Sequence, residues 1–275
     1  MKYMNVTKIH AGGNDYLVCK EAIPNAKETA KHLLDRRFGI GADGLITVFH
    51  HSDCDAEIKV FHSDGCESRF CSTAIIAAAK FLYDECKEKR SFDIVLSGTK
   101  YHAKLSIMGR RVLCAWLEMP RILSMPLEQY KYYHGTRGEV LRACIAHPKI
   151  SVYELCGMHT VFMLECCAAL RSLNMQSVCR RLEEVLFFGE STDLHFAAIA
   201  GDNTVAIRSW RCRTGEISSH CDGAVLGAYA AAEHSLIDSH RIIVKTNGGN
   251  LCVEFDGGNA LLCAKCETVF TGNVN

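Results

Sequence analysis

The chain has 275 residues, of which 48% are hydrophobic and 23% are charged, so it can bury the core of one large domain or of two ordinary ones. Lys and Arg together number 31, as do Asp and Glu, and this balance argues against the basic stripe of a nucleic-acid or membrane-surface binder. No run of about 18 uncharged apolar residues occurs, and no apolar signal segment precedes the first motifs. We therefore expect a cytoplasmic protein with neither nucleic acid nor membrane as a partner.

The first predicted elements are a β-rich run at 58–61 and, after a polar turn and Cys71, a helix over 73–85. This helix is apolar nearly all round, which is typical of a buried helix. A turn at 97–99 then precedes two strand-like runs. Further along, residues 170–186 have the pattern of an amphipathic surface helix.

The second part of the chain repeats the same order of elements. A β-rich run at 205–210 is followed by Cys221, a predicted buried helix over 223–235 and a turn at 247–249 before two more strand-like runs. The two cysteines and the two turns each stand 150 positions apart, which indicates a duplication. The sequence thus predicts an α+β fold of two pseudo-symmetric halves, each a sheet curled around a central helix. We place the N-terminal half at 1–120, completed by a C-terminal strand at 263–275, and the C-terminal half at 121–262.

A cysteine just before a helix faces unpaired backbone N–H groups and the positive end of the helix dipole, and both favour a thiolate. Two such thiols can act as an acid–base pair, one removing a proton from one face of a carbon and the other delivering a proton to the opposite face. A single cysteine before an Ala-rich helix is more often a small buried residue. Its duplication at Cys71 and Cys221 weakens that structural interpretation, and the repeat alone leaves a catalytic and a structural role open for both.

The chain has sixteen cysteines, without the regular spacing of a disulfide-stapled scaffold. Several lie within apolar runs, among them Cys114, Cys166 and Cys263, and we expect most of them to be reduced and to pack as small hydrophobes. The Cys263–Cys266 pair is a lone CxxC with no second pair at zinc-site spacing, so we expect no metal there.

Several motifs together resemble the diaminopimelate epimerase family over nearly the whole length. They are the segment 10–16 with its Gly-Gly-Asn-Asp core, the segment 35–45, Asp64-Gly65 before Cys71, Gly215-Glu216 before Cys221, and the segments 248–251 and 269–272. The resemblance implies that each half is an open β-barrel-like sheet wrapped around its helix. It also implies no pyridoxal phosphate, no other cofactor and no metal. Cys71 and Cys221 would be the catalytic base and acid, and Asn14 a substrate contact.

The sequence departs from the family where the substrate would be held. The family usually follows its cysteines with Gly-Asn-Gly and with Gly-Thr or Gly-Ser, whereas this chain has Ser72-Thr73-Ala74 and Asp222-Gly223. The places that grip the far end of diaminopimelate hold His62, Gly157, Asp193, Arg211 and Cys212. Because an unpaired buried charge costs several kcal/mol, diaminopimelate should bind poorly.

We therefore predict a cofactor-independent racemase or epimerase of a single-headed amino acid, histidine or another basic one. The candidate substrate-binding residues are Asn14, His62, Ser72, Thr73, His159, Asp193, Arg211, Asp222 and Gly223. The expected partners are the small-molecule amino acid and, as an open alternative, a second copy of the chain in a homodimer. Whether Cys66 or Cys212 lines the pocket stays open, although no helix start follows Cys66.

Three other functions are weighed against this prediction. The chain could be a genuine diaminopimelate epimerase with a rearranged pocket, or a degenerate homologue that serves as a binding module. An isomerase of the same fold that moves a proton with a carboxylate would have other residues at the two cysteine positions, whereas this chain has both Cys71 and Cys221. Individual residues also have plain structural roles open to them: Asn14 can hold a turn, and His62 and His159 can be core histidines.

Overall fold

The computed structural model describes residues 4–20, 23–125, 149–185, 192–212 and 214–274. The chain forms two compact units, one of Met1–Met119 with Leu261–Asn275 and the other of Pro120–Ala260. The sequence analysis divided the chain at 120/121 and 262/263. Among the described residues, no helix is long and apolar enough to cross a membrane.

The first unit is a curved sheet around a helix. Its strands are β1 (Met4–Ala11), β2 (Asn14–Cys19), β3 (Gly44–Phe49), β4 (Ala56–His62), β5 (Ser91–Leu96), β6 (Thr99–Met108), β7 (Arg111–Glu118) and β17 (Cys266–Val274), and its helices are α1 (Ala26–Leu34) and α2 (Ser72–Cys86). β17, β1 and β2 pair antiparallel, β2 pairs parallel with β3, β3 pairs antiparallel with β4, β4 pairs parallel with β5, and β5, β6 and β7 pair antiparallel. Helix α2 contacts β1, β2, β3, β5, β6, β7 and β17, so the sheet surrounds it.

The second unit repeats this pairing scheme. Its elements are β8 (Leu123–Met125), β9 (Lys149–Glu154), β10 (Met158–Met163), α3 (Cys167–Ser172), α4 (Met175–Val185), β11 (Thr192–Gly201), β12 (Thr204–Arg211), β13 (Gly215–Ile217), α5 (Cys221–Glu233), β14 (Arg241–Thr246) and β15 (Gly249–Asp256). β8, β9 and β10 pair antiparallel, β10 pairs parallel with β11, β11 antiparallel with β12, β12 parallel with β14, and β14 antiparallel with β15. Helix α5 packs against β10, β11, β12, β14 and β15. The predicted α+β fold of two pseudo-symmetric halves is confirmed.

One further strand, β16 (Asn259–Ala264), follows β15. Its residues Leu261 to Ala264 pair antiparallel with β7 and belong to the first unit. The chain therefore returns to its first unit at this strand, and β17 then completes that sheet beside β1.

Small side chains explain how a sheet can wrap so closely around each central helix. In α2 every residue from Ser72 to Phe81 is buried, and in α5 nearly all residues from Cys221 to Ala231 are buried. Both stretches are rich in Ala, and α5 adds Gly223 and Gly227, so the surrounding strands approach the helix backbone on all sides. A helix that is apolar all round is stable only when enclosed in this way.

Two predicted helix boundaries need correction. Residues 170–186 do not form one surface helix, because the chain breaks between α3 and α4, where the Asn174 side chain accepts the Ser177 N–H at 3.0 Å and starts a new helix. Leu186 lies outside the described residues. The apolar face of α4 is buried through Met175, Cys179 and Leu182.

The second correction concerns the start of α5. Cys71 precedes α2 as predicted, but α5 begins at Cys221 itself and not at Gly223, because His220 caps the helix. The His220 side chain accepts the N–H of Gly223. Pattern-based capping relies on Ser, Thr, Asp or Asn, so a histidine cap is not anticipated.

No disulfide joins any of the described cysteines. The expectation that those in apolar runs pack as core residues is wrong for three of them: Cys114 and Cys263 are half-buried and Cys166 is exposed. Side chains along a strand alternate between its two faces, and a residue at a helix end can face outward, so these three cysteines lie away from the core.

Candidate active site

Cys71 lies at the N-terminal end of α2, where it is the half-buried N-cap residue. Its Sγ lies 3.2 Å from the Tyr16 hydroxyl and 3.7 Å from Thr73 Oγ1. The two hydroxyls are themselves hydrogen-bonded at 2.6 Å. We call Tyr16, Cys71 and Thr73 the hydroxyl half-site; the Tyr16 hydroxyl can accept from Thr73 and donate to Sγ, which stabilises a thiolate.

Strand β2 positions Tyr16 for this contact. The ring lies close to Gly44, its pairing partner on β3, where an added Cβ would come within 2.9 Å of the ring. Asn14 is two residues earlier on β2 and so projects from the same face of the strand as Tyr16. The sequence analysis selected Asn14 but missed Tyr16, although the period of two along a strand offered the signal.

The other predicted residues of the first unit are near these in sequence. Ser72 and Thr73 form the first turn of α2 and are buried. His62 ends β4, and its backbone N–H donates to the Cys66 carbonyl in a tight turn at 2.9 Å. Cys66 is exposed and belongs to that turn.

Cys221 is the first residue of α5 and is buried. Gly223, two residues later, lies against the ring of His195, where an added Cβ would fall 2.3 Å from Nδ1. Only glycine leaves room for this ring beside the helix. Asp222 is the acidic residue of the first turn of α5, which places a negative charge at the positive end of the helix dipole.

Three buried histidines lie close together near the start of α5: His159, His195 and His220. Of these, His220 directly precedes Cys221 in the chain. His159 lies on β10 and His195 on β11, and their Nδ1 and Nε2 atoms are 3.0 Å apart. The rings of His195 and His220 meet edge-on with centroids 4.9 Å apart. Together with Asp193 and Ser209 we call them the imidazole half-site.

The partners of these rings determine where each proton lies. Leu155 O can only accept, so His159 Nε2–H donates to it at 3.3 Å and Nδ1 accepts from His195 Nε2–H. His195 Nδ1 in turn accepts the Ser209 hydroxyl at 3.0 Å. Burial lowers the pKa of both rings, that of His195 further, and the nearby His220 adds to the effect. Both imidazoles are therefore neutral at neutral pH.

Asp193 carries the negative charge of this half-site. One oxygen accepts His220 Nε2–H at 2.8 Å, the other accepts the Cys212 N–H at 3.0 Å, and Arg211 Nε is 3.9 Å away. Burial alone would raise the pKa of Asp193, but the hydrogen bonds from His220 and Cys212 hold it well below its usual range. The structure thus brings together the predicted residues His159, Asp193, Arg211 and Gly223.

The sequence analysis missed His195, Ser209 and His220. Asp193 and His195 are two residues apart on β11 and so lie on the same face of the strand, and His195 pairs directly with Ser209 on β12. Strand alternation starting from Asp193 could therefore have found His195 and Ser209. Gly157 lies in the turn before β10, two residues from His159. His220 has no sequence signal beyond its position next to Cys221.

Solved structures share this fold across the full length of the chain. A predicted epimerase from Pseudomonas aeruginosa superposes with a TM-score of 0.74 at 12% identity, covering 98% of this chain and 99% of that one. A hydroxyproline epimerase from Agrobacterium vitis gives a TM-score of 0.68 at 10% identity, covering 99% and 92%. At these identities the similarity defines the fold: two repeated units, each a sheet around a helix.

Sequence comparison takes the assignment further. A family model described as diaminopimelate epimerase matches residues 6–115. A diaminopimelate epimerase from Alkaliphilus metalliredigens is 30% identical over 255 residues, which cover 90% of this chain and 88% of that protein. The chain belongs to the diaminopimelate epimerase family. It is an isomerase of the racemase and epimerase class.

Proposed function

We propose that this isomerase inverts the Cα centre of a single-headed amino acid with two thiols, Cys71 and Cys221. One residue, as thiolate, takes the Cα proton, and the other, as thiol, delivers a proton to the opposite face of the carbanion. The first thiol thereby becomes protonated and the second becomes a thiolate, so charge and protons balance. The reverse reaction uses them in exchanged roles.

The observation that carries the proposal is the repeated placement of a cysteine at the start of a sheet-enclosed helix. Cys71 caps α2 and Cys221 begins α5, each beside the unpaired N–H groups of its helix. The same N–H groups suit a substrate α-carboxylate. In addition, polar groups that can orient protons lie near each cysteine: hydroxyls contact Cys71 Sγ, and His220 directly precedes Cys221 in the chain.

The substrate proposal depends on the imidazole half-site. Asp193 is anionic; it accepts hydrogen bonds from His220 Nε2–H and from the Cys212 N–H, and Arg211 Nε lies 3.9 Å away. A second carboxylate on the substrate, as in diaminopimelate, would face the charge of Asp193. A side chain that carries or can acquire positive charge fits this environment, and L-histidine is our first choice among the basic amino acids.

The first experiment follows Cα–H exchange by NMR while each L-amino acid is incubated with the enzyme in deuterium oxide. We expect the product enantiomer to carry deuterium while unreacted substrate keeps its proton at early times, since each thiol serves one face. Exchange that labels substrate and product equally from the start contradicts two separate bases. The absence of exchange with every amino acid contradicts the activity.

The second experiment compares kcat/KM for L-histidine, L-lysine, L-ornithine and LL-diaminopimelate. We expect a basic single-headed amino acid to win by tenfold or more, which is about 1.4 kcal/mol of transition-state preference. Asp193→Asn should reduce this preference, because it removes the charge that repels a distal carboxylate. Asp93→Asn is the matched control, since Asp93 forms a similar pair with His102 on the first unit.

The second candidate is a genuine diaminopimelate epimerase, which converts the LL form into the meso form. The names of the relatives favour it: the Alkaliphilus metalliredigens protein carries that name at 30% identity. If diaminopimelate is preferred tenfold in the comparison above, this candidate is correct and Asp193 does not reject the distal carboxylate.

A further inference from the structure

The loop of residues 35–43 joins α1 to β3 and leads into Gly44, the residue beside the Tyr16 ring. It is folded back onto α1, because the Gly41 N–H donates to the Leu33 carbonyl at 3.0 Å. Gly41 has φ +77°, a backbone conformation that favours glycine. The loop thus has a defined course, and its end reaches β2 one residue before Tyr16.

Asp15 and Asp43 join β2 to this loop by reciprocal hydrogen bonds. The Asp43 side chain accepts the Asp15 N–H at 2.9 Å, and the Asp15 side chain accepts the Asp43 N–H at 3.1 Å. The Asp43 N–H also donates to the Asp15 carbonyl at 2.8 Å. Asp15 is the residue before Tyr16 on β2, and Asp43 is the residue before the start of β3. These bonds therefore fix the pairing of the two strands where Tyr16 meets Gly44.

Two cations neutralise these carboxylates. Arg36 donates to Asp15 from both terminal nitrogens, at 2.7 and 3.2 Å, and its Nη2 also donates to Asp43 at 2.8 Å. Lys8, on the neighbouring strand β1, lies 2.9 Å from an Asp15 oxygen and donates to the Gly41 carbonyl. We call Lys8, Asp15, Arg36 and Asp43 the ion cluster. Its two positive and two negative charges balance.

The two carboxylates depend on Arg36 to lie side by side. Burial alone would raise the pKa of Asp15, but the hydrogen bonds that it accepts, above all from Arg36, hold that pKa well below its usual range. Burial and the adjacent Asp15 raise the pKa of Asp43. Without the guanidinium, two carboxylates would face the single ammonium of Lys8 in a partly buried place, which is costly.

We propose that the ion cluster positions the Tyr16 hydroxyl against Cys71, with Arg36 as the cation that joins its two carboxylates. The cluster fixes the pairing of β2 with β3, and the pairing holds the Tyr16 ring beside Gly44. The ring in turn carries its hydroxyl to 3.2 Å from Cys71 Sγ. The four members act through the strand pairing, so they are positioning residues. The inference rests on the proposed role of Cys71 as an acid–base thiol.

The cluster and the Tyr16 hydroxyl lie on opposite faces of β2. Successive side chains along a strand point to opposite faces, so the Asp15 side chain points away from the face of Tyr16. A change in the cluster therefore reaches Cys71 through the strand. Displacements of about 1 Å at a reacting group can reduce a rate by roughly 10²-fold, so a small shift of the hydroxyl is enough to be measured.

The test measures the ionisation of Cys71 in the full chain under reducing conditions. Iodoacetamide reacts with the thiolate, so alkylation rates at a series of pH values give the midpoint of Cys71 ionisation. Peptide mass spectrometry separates Cys71 from the other cysteines. We expect Arg36→Gln to slow Cys71 alkylation at pH 7 by about three- to tenfold and to move the midpoint to higher pH, because the thiolate loses a well-placed donor. Asp43→Asn should act in the same direction, and it decides the question alone if Arg36→Gln does not fold.

Two further variants separate positioning from general support of the fold. Arg36→Lys keeps the charge but lacks the planar fork that bridges two carboxylates, so it should restore part of the alkylation rate. The matched control is Asp55→Asn. Asp55 accepts Lys89 Nζ at 2.6 Å and the Asp93 N–H at 2.7 Å, which is a similar carboxylate contact in the same unit. This control should leave the Cys71 curve unchanged, and urea denaturation shows which variants are folded.

A double variant tests the route through Tyr16. In a Tyr16→Phe background, Arg36→Gln should have no further effect on Cys71, because the hydroxyl that the cluster positions is gone. A full additional effect in that background overturns the proposal, as does an unchanged Cys71 curve in folded Arg36→Gln and Asp43→Asn. Alkylation needs no substrate, so a chain that inverts no amino acid would contradict the proposed function and leave this test intact.

Discussion

The surroundings of Cys71 and Cys221 differ although the two units repeat the same strand pairings around the same kind of helix. Cys71 adjoins the hydroxyls of Tyr16 and Thr73, whereas the start of α5 adjoins a carboxylate and three imidazoles. The duplication thus preserved backbone architecture while the polar side chains around each cysteine diverged. A reaction that needs two thiols in opposite protonation states suits two such unlike surroundings.

The position two residues after each cysteine shows how this divergence is built. Thr73 has a hydroxyl that bonds to Tyr16 at 2.6 Å. Its counterpart in the repeat is Gly223, where the missing side chain leaves space that the His195 ring occupies. One substitution therefore exchanges a hydroxyl contact for room to place an imidazole against the helix.

The largest expected effect comes from replacing either of the two cysteines, which stand at equivalent positions of the two units. Cys71→Ser and Cys221→Ser should each reduce turnover by about 10²–10⁴-fold, because a serine hydroxyl is a much weaker acid–base group at neutral pH. Steady-state racemisation assays measure this. Cys66→Ser and Cys166→Ser are the controls, since both residues are exposed and Cys166 also caps a helix. A variant at Cys71 or Cys221 with more than about a tenth of wild-type turnover would exclude a two-thiol mechanism.

The next effect is confined to the hydroxyl half-site. Tyr16→Phe removes a donor to Cys71 Sγ, and a hydrogen bond to a charged group contributes about 1.5–3 kcal/mol, or roughly 10–150-fold in rate. Since the hydroxyl favours the thiolate, the ascending limb of the kcat/KM pH profile should move to higher pH. The control is Tyr83→Phe, at a buried tyrosine of α2, the helix that Cys71 caps. It should leave the pH profile unchanged. A rate loss without a change in the profile would mean that Tyr16 only supports the fold.

A third prediction concerns the space beside α5. Gly223→Ala places a Cβ 2.3 Å from His195 Nδ1, so it should lower the free energy of unfolding by about 1–3 kcal/mol despite the better helix propensity of alanine. Urea denaturation measures this change. The comparison is Gly227→Ala, whose Cβ would meet only the flexible end of Ile207 and should cost less. If the two variants lose the same free energy of unfolding, the His195 ring moves aside freely.

The last prediction distinguishes the two units by the pH dependence of stability. The folded-state pKa values of His159 and His195 are lowered by burial, so the unfolded chain takes up protons first as the pH falls below about 6.5. Stability is therefore complete above that pH and decreases below it, by at most about 1.4 kcal/mol per pH unit for each histidine. Urea denaturation at pH 7, 6 and 5 should show this slope. His159→Gln together with His195→Gln should flatten it, and His102→Gln should not.

Much of the fold could be predicted from local pattern. The matching cysteine and turn segments 150 positions apart indicated two like halves, and the Ala-rich runs after Cys71 and Cys221 indicated buried helices. The break at Asn174 and the start of α5 at Cys221 were missed, because both depend on side-chain caps that the hydrophobic period does not record.

The sequence by itself determined the repeated α+β architecture, the two candidate catalytic cysteines and the membership that its motifs indicated. The architecture follows from periodicity and composition along the chain, the cysteine pair from the internal repeat, and the membership from the motifs that resemble those of the family. Only the tertiary structure decided that Tyr16 reaches Cys71 and that His159, His195 and His220 meet around Asp193. Strand pairing and helix capping join residues that are 25 to 61 positions apart in the chain, and a linear pattern contains no record of which distant side chains share a face.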